Sequence, residues 1–364
     1  MTIRPRLKPT IEPFPAPDGD VYLLRDFADD LVIRSPDAAA RALLDRLDGS
    51  LAVHELAPAL RAGGHAVDAA AVEATLAQLR AAGVVEDAAQ DDELDPVVRA
   101  RFDRQLRYFG DAAGARAPVQ RRLSEASVLL LGAGGLGCWT AYALACAGIG
   151  RLVVVDGDAV ELSNLNRQIL YSEGDVGRPK ARVAARRLRA FSSCTEIDAI
   201  DARVDGPAAV ERLVAGHDLV LDLADMPVGD LQRWVDGACF AAGIPYAVAG
   251  QFPPLVRVGP LFVPGRTGCF ACEEAAWRAR HPLYDAVDRW RRDRPSSAAT
   301  FGPACGLIGS MLANDVVNHL TGIAPAATLG RALLVDMNTL ERRDEPVPRR
   351  PGCPRCGGGD RRSG

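Results

Sequence analysis

Between Ser127 and Asp156 the chain spells a strand, a glycine turn, a helix and a second strand, and few folds accommodate that order. Residues 128–131 are apolar without a break, as a strand buried on both faces of a parallel sheet requires. Gly132, Gly134, Gly135 and Gly137 then turn the chain sharply into a helix expected over 136–147. Side chains are missing where the backbone would approach a phosphate, and the helix start would aim its N–H groups at the anion. A second apolar run, 152–155, ends in Asp156, placed where a carboxylate can accept from ribose hydroxyls. The stretch predicts a Rossmann-like, doubly wound α/β sheet with a nucleotide at its carboxyl edge.

A glycine fingerprint alone suits a dinucleotide as well as a triphosphate. Arg167 and Lys180 favour ATP over NAD, because they add positive charge within one strand–helix–strand unit, as a triphosphate and its metal need. The plain alternative, two solvated surface charges, explains less of their position just past a phosphate loop. Gly-Ala-Gly-Gly-Leu-Gly at 132–137, Asp-Gly-Asp at 156–158, Ser-Asn-Leu-Asn-Arg-Gln at 163–168 and Gly-Arg-Pro-Lys at 177–180 form a compound motif. In this order and spacing they resemble the ThiF/MoeB and ubiquitin-activating superfamily of carboxylate-adenylating enzymes, over roughly residues 98–357.

The resemblance implies an ATP site built from Gly132, Gly134, Gly135, Gly137, Asp156, Asp158, Asn164, Arg167 and Lys180, with Asp156 on the ribose. Arg167 and Lys180 would meet the phosphates. Asp225, just past a strand expected at 218–223, would work with Mg²⁺, although Met226 follows it where relatives usually carry Asn. Arg104, in Arg-Phe-Asp-Arg-Gln at 101–105, would reach the ATP phosphates of the partner subunit in a homodimer. The charged, aromatic and irregular stretch 281–299, which includes Asp293 and Arg294, corresponds to the loop over the substrate channel. It lacks the reactive cysteine that sulfur-transferring relatives often carry there, which argues against a covalent thioester or persulfide step. Cys305 is the nearest thiol, but it leads into an apolar helix expected at 307–320 and reads as inert.

Four of the nine cysteines form two Cys-x-x-Cys pairs, Cys269/Cys272 and Cys353/Cys356. Thiols two residues apart suit half-sites for tetrahedral zinc, with a redox pair as the alternative. The eighty residues between the pairs exceed a compact zinc ribbon, and the family resemblance strengthens the zinc reading. A net charge of −4 gives no electrostatic case for nucleic acid or an acidic membrane surface. No apolar run reaches 18 residues and no signal core opens the chain, so a cytoplasmic protein is expected.

Ahead of the nucleotide unit, residues 1–19 are proline-rich and read as an extended or poorly ordered arm. Two short strands around an acidic turn are expected over 21–33. Helices follow at 38–47 (with Ser35 as cap), 53–62 and 69–82, and then a closing strand at 84–85. This order over residues 20–90 describes a small winged-helix-like α+β domain. DNA binding fits poorly, since the third helix carries only Arg80 as a basic residue. The segment resembles instead the PqqD-like elements that hold leader peptides of ribosomally made precursors, which implies an extended peptide pairing with the sheet edge. Residues 87–95 read as an acidic linker, 91–345 as the adenylation domain and 346–364 as a zinc-binding tail.

Three functions follow. The first is ATP-dependent adenylation of a precursor-peptide carboxylate, as in adenylating enzymes of the microcin C type. The second is activation of a ubiquitin-like sulfur carrier for thiamine or molybdopterin synthesis. The third is a catalytically silent leader-binding scaffold, which has no reason to keep Asp156, Arg167, Lys180 and Asp225 together.

Overall fold

A computed structural model describes residues 3–25, 29–292 and 299–357, and the chain divides into two units, Met1–Arg121 and Arg122–Gly364. Asp293, Arg294 and the last seven residues of the tail, 358–364, lie outside the described residues.

In the first unit β1 (Pro5–Leu7), β2 (Glu12–Pro15), β3 (Val21–Leu24) and β4 (Leu31–Ile33) precede the helices α1 (Ala38–Asp45), α2 (Val53–Ala62) and α3 (Ala69–Ala81). β5 (Val85–Asp87) returns to pair with β1, while β2, β3 and β4 form an antiparallel sheet in that order. The expectation of a loose arm over 1–19 is therefore corrected, because its described residues carry two strands. Proline is tolerated there because β1 begins on Pro5 and β2 is an edge, where a missing N–H breaks no ladder bond. Ser35 is not the cap of α1. Asp37 is, accepting from the Ala40 N–H at 2.7 Å, while Asp68 caps α3 as expected. Leu23, Leu56, Leu60 and Leu76 fill the core under the sheet.

The acidic run 87–95 is likewise no free linker. Arg4 binds Asp92, Arg6 binds Glu86 and Asp91, and the buried Arg116 binds Glu86 at 2.6 Å. Asp95 caps α4 (Pro96–Arg101), which is followed by α5 (Asp103–Ala113) and α6 (Ala117–Glu125).

The second unit is an eight-stranded sheet. β6 (Ser127–Leu131), α7 (Gly135–Ala147), β7 (Arg151–Val155), α8 (Lys180–Phe191), β8 (Glu196–Ile200), α9 (Pro207–Val214), β9 (Leu219–Asp222), α10 (Asp230–Ala242) and β10 (Tyr246–Phe252) alternate as βα units. Their strands lie parallel in the order β10-β9-β6-β7-β8. β11 (Leu255–Phe262) follows β10 as an antiparallel neighbour, after which come α11 (Phe270–Arg280), α12 (Tyr284–Arg292) and α13 (Gly302–Thr321). β12 (Arg331–Asp336) and β13 (Arg342–Pro346) complete the antiparallel side. α7, α8 and α13 cover one face and α9 and α10 the other, so each apolar strand is buried twice.

Two expectations change here. The sheet closes on the charged, exposed β13 and not on β12; its arginines and acids protect the outermost edge from further pairing. The stretch 281–299 is not irregular throughout, since α12 is pinned through Arg233, which binds Asp230, Asp288 and Glu274.

Candidate active site and metal centre

The carboxyl ends of β6, β7 and β9 meet at the glycine loop. Gly132 is in the left-handed region (φ +93°), and its N–H donates to the Val155 carbonyl at 2.8 Å. A Cβ at Gly132 would lie 2.7 Å from the Ala224 nitrogen, and one at Gly137 would lie 1.9 Å from the Gly132 oxygen. Close packing of strand, loop and helix demands these two glycines. Gly134, the N-cap of α7, differs: the nearest atom to a Cβ there, Gln168 Nε2, is 3.9 Å away, which leaves room for an anion before the helix start.

Asp156 braces the loop from β7. Its Oδ2 accepts from the Ala133 N–H at 2.7 Å and its Oδ1 from the Asp158 N–H at 2.9 Å. Burial pushes its pKa up, while those two N–H groups and Lys180 pull it down. Lys180 is buried at the first position of α8 and places Nζ 3.2 Å from Asp158 Oδ2; Arg203 reaches the other oxygen of Asp158 at 3.2 Å. Arg167 is half-buried, donating from Nη1 to the Ser163 carbonyl and to Asn166 Oδ1, each at 2.9 Å. Trp139 Nε1 donates to the Arg167 carbonyl at 3.1 Å, and the Arg167 Cδ would stand 3.3 Å from a Cβ on Gly135. Asn164 is buried and accepts from the Glu161 N–H at 3.0 Å, so its amide shapes the turn that carries Arg167.

Asp225 sits three residues beyond β9, exposed and without a hydrogen bond or ion pair among the described residues. Arg104 is exposed on α5 of the first unit, also without an ion pair among the described residues. The glycines, Asp156, Asp158, Arg167 and Lys180 are thus gathered within the second unit.

Gln168, Gln251 and Asp222 have no role assigned from the sequence, although Asp222 falls at the end of the strand expected at 218–223. Gln168 closes the Ser-Asn-Leu-Asn-Arg-Gln motif, is 3% exposed, and its Oε1 has no partner among the described residues. Its place at the end of that motif was the available signal. Asp222, the last residue of β9, is 2% exposed, and neither oxygen has a hydrogen-bond partner among the described residues. Burial pushes its pKa up to about 7; the Ala224 N–H opposes this through a contact too poor to count as a hydrogen bond.

This carries a stability prediction. The folded carboxyl titrates above its ordinary 3.8, so the native state tolerates it as a neutral acid below about pH 4 and pays increasingly as pH rises through 7. Asp222→Asn removes that charge. It should stabilise the fold at pH 8 by an amount on the order of 4 kcal/mol, seen as a higher Tm, and leave Tm unchanged near pH 4. Equal shifts at both pH values in thermal melts would mean that burial of the charge is not the cause.

On the other side of the sheet Cys269, Cys272, Cys353 and Cys356 are buried together, with all four sulfurs within 4.8 Å of one another. Cys269 and Cys353 stand 3.6 Å apart, Cys272 and Cys356 3.3 Å, and Cys269 and Cys272 3.9 Å. Tetrahedral Zn–S bonds of about 2.3 Å require sulfurs roughly 3.8 Å apart, so the cluster could hold that ion. Burial drives the Cys269 thiol up, and the Cys356 thiol to about 11. Cys353 is buried too, yet the backbone N–H groups of Cys356 and Arg355 help bring it down to about 7. Arg355 also donates to Asp236 on α10 at 3.2 Å, and Asp236 accepts from the Tyr246 hydroxyl and from the Phe270 N–H.

The ThiF family model matches residues 102–355. The chain is 32% identical over 269 residues to the molybdopterin-synthase adenylyltransferase of Escherichia coli, covering 73% of this chain and 99% of that protein. It is 34% identical over 258 residues to the sulfur carrier protein ThiS adenylyltransferase of the same organism, covering 71% of this chain and 95% of that one. Among solved structures, E. coli MccB with ATP superposes with a TM-score of 0.73 at 23% identity, covering 97% of this chain and 99% of MccB. The microcin C7 biosynthetic enzyme MccB in complex with N-formylated MccA gives 0.74 at 22%, with the same coverage. No described helix is long and apolar enough to cross a membrane.

Proposed function

The chain belongs to the ThiF family and is an adenylyltransferase, and on that premise we propose that the carboxylate it activates belongs to a ribosomally made precursor peptide. The first unit is the observation that carries this reading. The family model begins at residue 102, and the molybdopterin relative is matched over almost its whole length by about three quarters of this chain. The fold of MccB, a protein solved with the peptide MccA, extends over 97% of it. Within the first unit β2 and β4 are the sheet edges, and Pro13 and Pro15 deprive β2 of two donors. β4 is the edge to which a leader strand can add.

A carboxylate oxygen of the peptide attacks the α-phosphorus of ATP, the bond to the leaving oxygen breaks, and pyrophosphate departs from an acyl-adenylate. Such a transfer needs positioning and charge neutralisation more than covalent help. In this reading the open space at Gly134 takes a phosphate, Lys180 and Arg167 neutralise the rest, and Asp156 meets the ribose with the lone pairs that the loop leaves free. Asp225 would hold Mg²⁺, which supplies charge neutralisation at the phosphates when bound. The four cysteines would hold a structural zinc.

The identities of 32% and 34% favour a second reading, in which the acceptor is a sulfur carrier ending in Gly-Gly. The full-length chain should be assayed for ATP–pyrophosphate exchange with a cognate precursor, with that peptide lacking its leader, and with such a carrier. Removal of the leader is expected to raise KM about 10²-fold with kcat retained, since tethering raises local concentration. Exchange with the carrier alone would transfer the assignment to the second reading.

A homodimer in which Arg104 completes the site of the partner subunit belongs to the same proposal. Mixed dimers of an Arg104→Ala and an Asp225→Ala chain contain one intact site and should recover part of the activity. Verified mixed dimers without recovery would confine Arg104 to its own subunit or remove it from the reaction.

A further inference from the structure

Three of the four loop glycines are walled in and one is not. A Cβ at Gly132 or Gly137 would meet backbone, and one at Gly135 would stand 2.7 Å from Cys305 Sγ and 3.3 Å from Arg167 Cδ. Cys305 lies in the first turn of α13, held by a tether from Gln251, whose Nε2 donates to the sulfur at 2.9 Å. Burial raises this thiol, with Gln251 and Arg167 acting against it, so it is packing and not a nucleophile. Gly134 alone faces open space. Away from its own stretch of chain, Gln168 Nε2 at 3.9 Å is the one atom of the described residues within 4 Å of a Cβ there. The second glycine of such a loop is where backbone and phosphate approach, so this amide stands beside the anion position at the start of α7.

The backbone, and not the amide, shapes the turn that carries Gln168. Its N–H donates to the Asn164 carbonyl at 2.9 Å, and its carbonyl accepts from the Tyr171 N–H at 3.3 Å. The Tyr171 hydroxyl then donates to the Ala133 carbonyl at 2.8 Å, which ties the turn to the residue before Gly134. Gln168 is buried, yet its Oε1 finds no partner among the described residues. An apolar side chain would fill that place at lower cost, so the polarity is there for something the protein itself does not supply.

We propose that the Gln168 amide is a ligand of the α-phosphate, with Nε2 donating to one of its two non-bridging oxygens in ATP and to the same oxygen in the acyl-adenylate. The inference rests on the adenylation reading. Asp156 decides which phosphate is meant. Its Oδ2 accepts from the Ala133 N–H at 2.7 Å, so a ribose on Asp156 lies beside the residue before Gly134, and the phosphate at Gly134 is the one bonded to that ribose. Lys180 and Arg167 are left for the phosphates that depart. A neutral donor suits the α position, because it orients the oxygen during attack and still holds it once pyrophosphate has gone.

Adenosine 5′-O-(1-thiotriphosphate) exists as two isomers, each with sulfur at one of those two positions, where it accepts a hydrogen bond poorly. ATP and both isomers are titrated calorimetrically into the full-length chain, with added Mg²⁺ and without it, and then into Gln168→Met and, as a second apolar replacement, Gln168→Leu. Loss of Nε2 should weaken ATP and one isomer by at least about 10-fold each and leave the other isomer nearly unchanged, because that ligand has already lost the bond. Both variants should keep the parental Tm, since an apolar group replaces a buried oxygen without a partner. Equal weakening of all three ligands, or loss of the fold in both variants, would make Gln168 a support of the turn and overturn the inference while adenylation stands. Undiminished binding of all three would do the same. A folded parent chain that binds ATP neither with nor without Mg²⁺ would overturn both.

Discussion

An Asp225→Ala chain should fold and melt as the parent does and lose ATP–pyrophosphate exchange by at least about 10²–10³-fold. The two halves of this expectation come from one observation: Asp225 is exposed and touches no polar partner among the described residues. A surface substitution of that kind changes stability by about 0.5 kcal/mol or less. No hydrogen bond or ion pair among the described residues gives Asp225 a structural role, and it follows Ala224, which packs against Gly132 of the glycine loop. Lys180→Ala is the instructive contrast. Lys180 is buried and pairs with Asp158, so on the proposed reading its loss is expected to weaken the folded site as well as ATP binding, with Arg203 left as the ion-pair partner of Asp158 among the described residues. Calorimetric ATP titrations with and without Mg²⁺ separate the two, because only the Asp225 variant should lose the Mg²⁺-dependent part of the affinity. Exchange at the parental rate by Asp225→Ala would remove Asp225 from the reaction.

Much of the site could be read from the chain because its elements are local. A strand, a glycine turn and a helix within twenty residues make the loop by themselves, and α2 and the Asp68 cap of α3 follow in the same way from periodicity and capping. What escaped reading depends on distant partners. The strands at Pro5–Leu7 and Glu12–Pro15 look like a proline-rich arm until β5 and β3 supply their neighbours. The acid run 87–95 looks like a solvated linker until Arg4 meets Asp92 and both Arg6 and Arg116 meet Asp91. α12 looks irregular until Arg233, more than fifty residues earlier, gathers Asp288 and Glu274. The tether from Gln251 to Cys305 spans 54 positions, and no spacing rule anticipates it.

Metal removal should have the largest effect on stability. The four sulfurs lie in the apolar cluster that joins α10 and α11 to the sheet, and Cys353 and Cys356 are the far end of the chain brought back to it. Without an ion, four buried thiols give the tail weak sulfur contacts beside its hydrogen bonds from Arg355 to Asp236, from Arg349 to the Gly265 carbonyl and from the Val347 N–H to the Gly330 carbonyl. Structural zinc contributes roughly 10–16 kcal/mol of binding free energy near neutral pH in small domains, of which a larger unit can forfeit a part and stay folded. Chelation, or Cys272→Ser, is expected to release about one zinc per chain and cost at least about 5 kcal/mol, roughly 10–20 °C in Tm for a unit of this size. The effect has a pH sign. Thiolates bind the ion and protons compete for them, so the metal-dependent part of Tm should fall as pH falls and persist at alkaline pH. Metal analysis and melts across pH check this together. A chain that is free of metal, keeps its Tm under chelator and loses it to a reductant would instead carry disulfides at Cys269/Cys353 and Cys272/Cys356, the two closest sulfur pairs bridging α11 and the tail.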